Sequence, residues 1–214
     1  MIYLEEKLNL DPASPEYLDN YVDIAQKILV PACKRLGSRL VVAWFSNIDW
    51  FCQVTQIMEF DDLESLKSFR KDSCQDSEWG EYLAYLEEFA PVRKSRLLEP
   101  FGPVPPKTLH DAIIESQEKP IKNISVAMLE MDLGKVIETR SLIKRWSKRF
   151  PIIASWRLIS GAPNSVIDIW KGNINPVEYT PSSEGINQLL RELREIIPKE
   201  RLRTVNLLPF SQLH

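Results

Sequence analysis

The stretch Leu40 to Phe60 (LVVAWFSNIDWFCQVTQIMEF) realigns without a gap on Ile152 to Gly172 (IIASWRLISGAPNSVIDIWKG), and this internal echo constrains the fold more than any other feature. Trp44 meets Trp156, Val54 meets Val166, and Ile57 meets Ile169. In each copy a polar residue, Gln56 or Asp168, stands mid-strand two positions before a large apolar one, Met58 or Trp170. Three identities in 21 positions gain weight from order, because each copy stands between two helix-like segments. The chain reads as two versions of one small α+β unit.

A chain of 214 residues forms one large domain or two of about 100 residues each, and the repeat favours two. Its 27 basic and 30 acidic residues leave a net charge of -3, so no bulk electrostatic pull toward nucleic acid or an anionic membrane is expected. There is no charged leader before Ile2 and no apolar run near the membrane-spanning length of roughly 18 residues, so the sequence predicts a cytoplasmic protein. Cys33, Cys52 and Cys74 are odd in number and lie in apolar or mixed contexts, which argues for reduced thiols rather than a disulfide framework.

Alternation over Ile2 to Leu10 places Ile2, Leu4, Leu8 and Leu10 on one face of a strand, with Glu6 the exception on that face. The turn residues Asp11 to Pro15 lead into a long helix carrying Tyr17, Tyr21, Ile24 and Ile28, bent or broken at Pro31 and ending at Gly37. Strands are predicted at Arg39 to Phe45 and Cys52 to Phe60, joined by Ser46 to Phe51. Asp61-Asp62 then caps a segment with Leu63, Leu66 and Phe69. A helix from about Ser77 holds Trp79, Tyr82, Leu83, Leu86 and Phe89, and Val92 to Glu99 closes the unit as a strand. The order is β-α-β-β-α-β over residues 1–100.

Residues 101–122 read as a linker, because Pro103, Pro105, Pro106 and Pro120 crowd a stretch of little apolar periodicity just after Pro100. The second unit, 123–214, repeats the order. It has strand Ser125 to Met131, helix Gly134 to Arg149, and strands Ile152 to Ile159 and Ser165 to Gly172. Helix Pro181 to Ile197 and strand Arg203 to Leu208 complete it. This is the split βαβ, ferredoxin-like arrangement, in which two helices cover one face of a four-stranded antiparallel sheet. Trp44, Val54 and Met58 imply an apolar opposite face, which a second such sheet would close into a barrel, within one chain or between chains. The predicted fold class is therefore α+β, two tandem ferredoxin-like units of the dimeric α+β barrel type.

The run Leu29 to Trp44 (LVPACKRLGSRLVVAW) resembles the helix end, tight turn and second strand of the NIPSNAP family. Gln53 to Asp61, Ser77 to Leu83 and Arg96 to Pro100 resemble its third strand, Trp-containing helix and closing strand, while the second unit follows the family only in outline. The resemblance implies a dimeric α+β barrel, a superfamily holding cofactor-independent oxygenases, isomerases, haem-binding enzymes and members without established activity. It also marks departures: the family often has His where Gln56 stands, Trp where Met58 stands and a basic residue where Glu6 stands.

Strand alternation puts Val54, Gln56 and Met58 on one face, with Val166, Asp168 and Trp170 as counterparts. Asp168 is expensive to bury unpaired, so it is satisfied by a donor, faces a ligand as an acid or base, or is exposed. Buried near apolar walls, it could act as a general base on a carbon acid. Trp44, Trp156 and Trp170 with Gln56 and Met58 either pack the core or line a cavity for a flat apolar ligand. Trp79 and Tyr82 read as packing, and Trp50 and Phe51, in a predicted loop, read as an oligomer or partner contact.

Metal and nucleophile sites are not expected. His110 and His214 form no zinc pair and supply no axial haem ligand, no Cys-x-x-Cys occurs, and the seven glycines form neither a phosphate loop nor a dinucleotide fingerprint. The basic cluster Lys144, Arg145, Lys148 and Arg149 around Trp146 fits a solvated helix end, where cations favour the dipole. The expected function is a NIPSNAP-like module that binds a small apolar ligand or a protein partner, as a homo-oligomer and without cofactor. The alternative is a cofactor-independent oxygenase or isomerase with Asp168 as its base.

Overall fold

The computed structural model of the chain describes residues 1–47, 50–147, 151–172 and 191–214. These residues divide into two compact units, Met1–Leu97 together with Asn206–His214, and Leu98–Val205. The class is the one expected from the sequence: α+β, with tandem ferredoxin-like units of the dimeric α+β barrel type.

The first unit contains β1 (Ile2–Asn9), α1 (Tyr17–Ile24), a π turn (Ala25–Leu29), α2 (Val30–Arg35), β2 (Arg39–Ser46), β3 (Gln53–Phe60), α3 (Leu63–Ser73), α4 (Ser77–Phe89) and most of β4 (Val92–Pro100). Its strands run in the order β4-β1-β3-β2, and Asn206–Leu207 of β8 (Lys199–Leu207) pair with the free edge of β2. Asp62 caps α3 by accepting from the Ser65 amide at 2.8 Å, and Asp76 caps α4 by accepting from the Trp79 amide at 2.8 Å.

The predicted bend at Pro31 takes the form of a π turn just upstream. Proline has no amide hydrogen and its ring crowds the carbonyl four residues earlier, here that of Lys27. The chain responds with a wider turn, in which the Val30 amide donates to the Ala25 carbonyl. This resets the helical phase. Tyr21, Ala25, Leu29 and Cys33, each four residues apart, are all buried against the sheet. At about 100° per residue an unbroken α-helix would carry Cys33 about 120° away from Tyr21, and one extra residue in a turn removes most of that drift.

The core of this unit lies between the sheet and its helices. Pairing of β1 with β3 sets Leu4, Glu6 and Leu8 beside Met58, Gln56 and Val54 on one face. That face packs on Tyr21, Ala25 and Leu29 from the first helix and on Trp79, Tyr82 and Leu86 of α4. The sequence assigns Val54 and Met58 to the opposite face, together with Trp44, and the structure corrects this. Gln56 is paired with Ala43, whereas Trp44 is paired with Thr55, so Trp44 points to the other side of the sheet. All eight residues of β3 are buried, so apolar alternation could not say which side the helices cover.

The second unit contains the end of β4, then α5 (Pro106–Glu118), β5 (Asn123–Glu130), α6 (Val136–Trp146), β6 (Ile152–Leu158), β7 (Ser165–Lys171) and most of β8. Its strands run β8-β5-β7-β6, and Leu98–Pro100 of β4 pair with β6. The segment 101–122 is not a plain linker, since it holds the 13-residue helix α5. Pro105 and Pro106 start that helix where missing amide donors cost nothing, and it buries Leu109 and Ala112. Of the predicted helix Pro181 to Ile197, residues 181–190 lie outside the described residues and 191–196 are helical. Lys148 and Arg149 of the basic cluster also lie outside them. No described helix is long and apolar enough to cross a membrane.

Candidate functional site

In the first unit, the middle of the helix-covered face holds a closed polar ring. The Tyr21 hydroxyl on α1 donates to Gln56 Oε1 at 2.6 Å, Gln56 Nε2 donates to the Tyr82 hydroxyl at 3.1 Å, and the two tyrosine oxygens lie 3.1 Å apart. The second hydrogen of Gln56 Nε2 goes to Glu6 Oε2 at 2.8 Å. Glu6 is the cross-strand partner of Gln56, so the exception on an apolar face meets the one amide able to satisfy it. Burial raises the Glu6 pKa, opposed by the Gln56 hydrogen bond and the charges of Arg93 and Arg70. Burial likewise pushes up the Tyr21 and Tyr82 hydroxyls, which remain protonated donors.

Met58, next on this face, is fully buried beneath the Cys33 thiol at 3.6 Å. Burial pushes the Cys33 thiol up to about 12, which leaves no thiolate for nucleophilic chemistry. Gln56 and Met58 thus stand together, but in a filled core.

The second unit places the counterpart of Gln56 in a different setting. Asp168 on β7 pairs with Ala127 on β5 and Ser155 on β6, positions that correspond to Glu6 and Ala43 around Gln56. The carboxyl that stands on the neighbouring strand in one unit has therefore moved onto the central strand in the other. Asp168 is buried beside the Ser155 hydroxyl, and its Oδ1 has no hydrogen-bond partner among the described residues. Burial pushes its pKa up to about 7; the neighbouring Ser155 hydroxyl opposes the shift and the negative charge of Glu200 adds to it. A space of about 20 Å³, bounded by Asp168, Trp170, Glu200, Leu142, Ile152 and Leu193, adjoins it. That is room for about one water molecule and not for an organic substrate.

Trp170 shares the face of Asp168, whereas Trp156 is paired with Ile167 and buried on the other side of the same sheet. The five residues expected to bind a ligand therefore separate by face. Gln56 and Met58 lie under the helices of the first unit, Trp170 lies beside Asp168 in the second, and Trp44 and Trp156 each occupy the reverse face of their own sheet.

A larger cavity lies where the sequence offered only helix packing. Tyr17, Ile24, Tyr85 and Phe89 form the walls of a cleft of about 350 Å³ between α1 and the end of α4, with Asp11, Ser14, Asn20, Asp23 and Lys27 at its rim. The Tyr85 and Phe89 rings are 4.8 Å apart and tilted by 34°. A hydrogen bond to Cys52, with burial added, raises Tyr17 to about 12 and keeps its hydroxyl neutral. The cleft meets the polar ring through the Tyr21 and Tyr85 side chains, whose centroids are 6.5 Å apart. The legible signal was Tyr17 and Tyr21 on one helix facing Tyr82 and Tyr85 on another, four tyrosines whose hydroxyls all need partners or water.

Among the described residues no group of histidines, cysteines and carboxylates is arranged to hold a metal. Residues 13–102 match the NIPSNAP family model. No curated protein matches the chain. Solved structures with the same fold include a candidate monooxygenase from Lactobacillus acidophilus NCFM, 11% identical over 96% of this chain and 93% of that one, with a TM-score of 0.62. A candidate monooxygenase from Fusobacterium nucleatum is 10% identical over 97% of this chain and 92% of its own, with a TM-score of 0.61. An anthrone oxidase-like protein is 10% identical, covering 96% and 90% of the two chains, with a TM-score of 0.56.

Proposed function

We propose that the chain, whose residues 13–102 match the NIPSNAP family model, is a ligand-binding protein of that kind that takes a small, flat, largely apolar molecule in the cleft of its first unit. The observation that carries this reading is the cleft itself. Its volume of about 350 Å³ suits a one- or two-ring molecule, and three aromatic side chains wall it. The Tyr17 and Tyr85 rings are only half-buried and Phe89 is exposed, so a ligand would remove apolar surface from water. The polar ring beneath has its donors and acceptors matched and supports the wall without offering a reactive group. The homo-oligomer expected from the sequence belongs to the same proposal.

The test is a titration of the full chain with N-phenyl-1-naphthylamine, a neutral flat probe whose fluorescence rises in apolar surroundings. Wild-type protein should bind it, and the double variant Tyr85→Ala, Phe89→Ala should bind at least about tenfold more weakly with an unchanged circular dichroism spectrum, as expected for about 1.4 kcal/mol of lost contact. Equal binding by the folded double variant would overturn the assignment.

A further inference from the structure

We infer that the ligand of the first unit's cleft carries a positive charge, as an aryl- or alkylammonium whose cationic head sits at the acidic rim and whose apolar body lies on Tyr17, Tyr85 and Phe89. The inference rests on the ligand-binding reading of the cleft and adds its charge.

The rim is acidic in excess of its cation. Asp11 and Asp23 both border the cleft, and Lys27 is its one basic lining residue. Lys27 Nζ is already held by Asp23 at 2.9 Å, which neutralises that pair locally. Asp11 lines the cleft and makes no side-chain ion pair among the described residues. Its main chain is fixed there, because the Asp11 amide donates to the Phe89 carbonyl at 2.7 Å.

The helix geometry reinforces the sign. The wall formed by Tyr85 and Phe89 is the last turn of α4, where the helix dipole presents its negative end. A helix end is commonly balanced by Lys or Arg, but α4 has no basic residue in its last turn and instead carries Glu87 and Glu88. An anionic ligand would meet Asp11 and the carboxyl end of α4 without an arginine to receive it. An ammonium would meet them favourably, and the π faces of the tilted Tyr85 and Phe89 rings add a cation–π attraction.

The experiment is a methyl NMR titration of the full chain at low ionic strength, read at Ile24 in the cleft wall, with three probes of matched size: 2-phenylethylammonium, 2-phenylethanol and phenylacetate. The ammonium should bind about tenfold more tightly than the alcohol, phenylacetate should bind most weakly, and added salt should erode the difference. Asp11→Asn should lower ammonium affinity several-fold and leave alcohol affinity unchanged. Equal binding of ammonium and alcohol, or preference for phenylacetate, would overturn the charge assignment while leaving the cleft a ligand site. No response of Ile24 to any probe would overturn both.

Discussion

Glu6 and Gln56 stand directly opposite one another on β1 and β3, and the Gln56 amide nitrogen donates to the Glu6 carboxylate at 2.8 Å. This contact orients the amide. With its nitrogen committed to Glu6 and Tyr82, its oxygen is left to accept from Tyr21, so one carboxylate sets the direction of every hydrogen bond in the ring.

Replacing Gln56 with Leu keeps the volume but leaves Glu6 without its amide donor and the Tyr21 hydroxyl without its acceptor. Stability should fall by about 2–4 kcal/mol, the usual cost of stranding two buried polar groups. Urea denaturation at neutral pH measures this, and a loss below about 0.5 kcal/mol would mean that water replaces the amide freely. The partner variant Glu6→Gln should cost less, because its amide oxygen still accepts from Gln56.

The ring also marks where sequence reasoning succeeded and where it stopped. The duplicated α+β order, the Asp62 cap and the start of α4 at Ser77 were legible, because each rests on local patterning or on residues adjacent in the chain. Glu6 was legible as an anomaly, since a carboxylate among Ile2, Leu4 and Leu8 breaks the alternation. Its partner was not, because pairing with Gln56 depends on a strand register set across 50 residues. The covered face of β3 was unreadable for a different reason: both of its faces are buried, so period-two alternation carries no contrast. Helix α5 was hidden by composition, as the prolines that suggested a linker stand where a helix begins.

Asp168 should give the second unit a distinctive pH response. Its folded pKa of about 7 lies above the ordinary value of 3.8, so the folded state holds the proton more tightly than the unfolded chain. The stability this lends is fully present below pH 3.8 and is lost as pH rises through 7. Asp168→Asn removes the ionisation. The variant's advantage over wild type should grow between these limits, reach on the order of a few kcal/mol and level off above them. Denaturation midpoints measured from pH 4 to 9 test this, and parallel curves for the two proteins would show that Asp168 is solvated or paired in solution.

Trp50 and Phe51 are 52% and 65% exposed, which leaves two large aromatic side chains facing water in the connection between β2 and β3. The backbone behind them is anchored. Cys52 adopts a left-handed φ of 61°, its amide donates to Asn47 Oδ1 at 2.8 Å, and its carbonyl accepts from the Leu10 amide at 2.8 Å. A non-glycine residue held in that conformation fixes the path of the chain, so the aromatics are presented outward and do not fold back onto the sheet. Exposed aromatics beside the anchored Cys52 suit self-association, because docking removes their apolar surface from water. Light scattering coupled to size exclusion should therefore report a multiple of the 24.8 kDa chain mass for the wild type, and the monomer mass for Trp50→Ser, Phe51→Ser. An unchanged mass in the folded double variant would place the self-association contact elsewhere, and a monomeric wild type would remove the need for one.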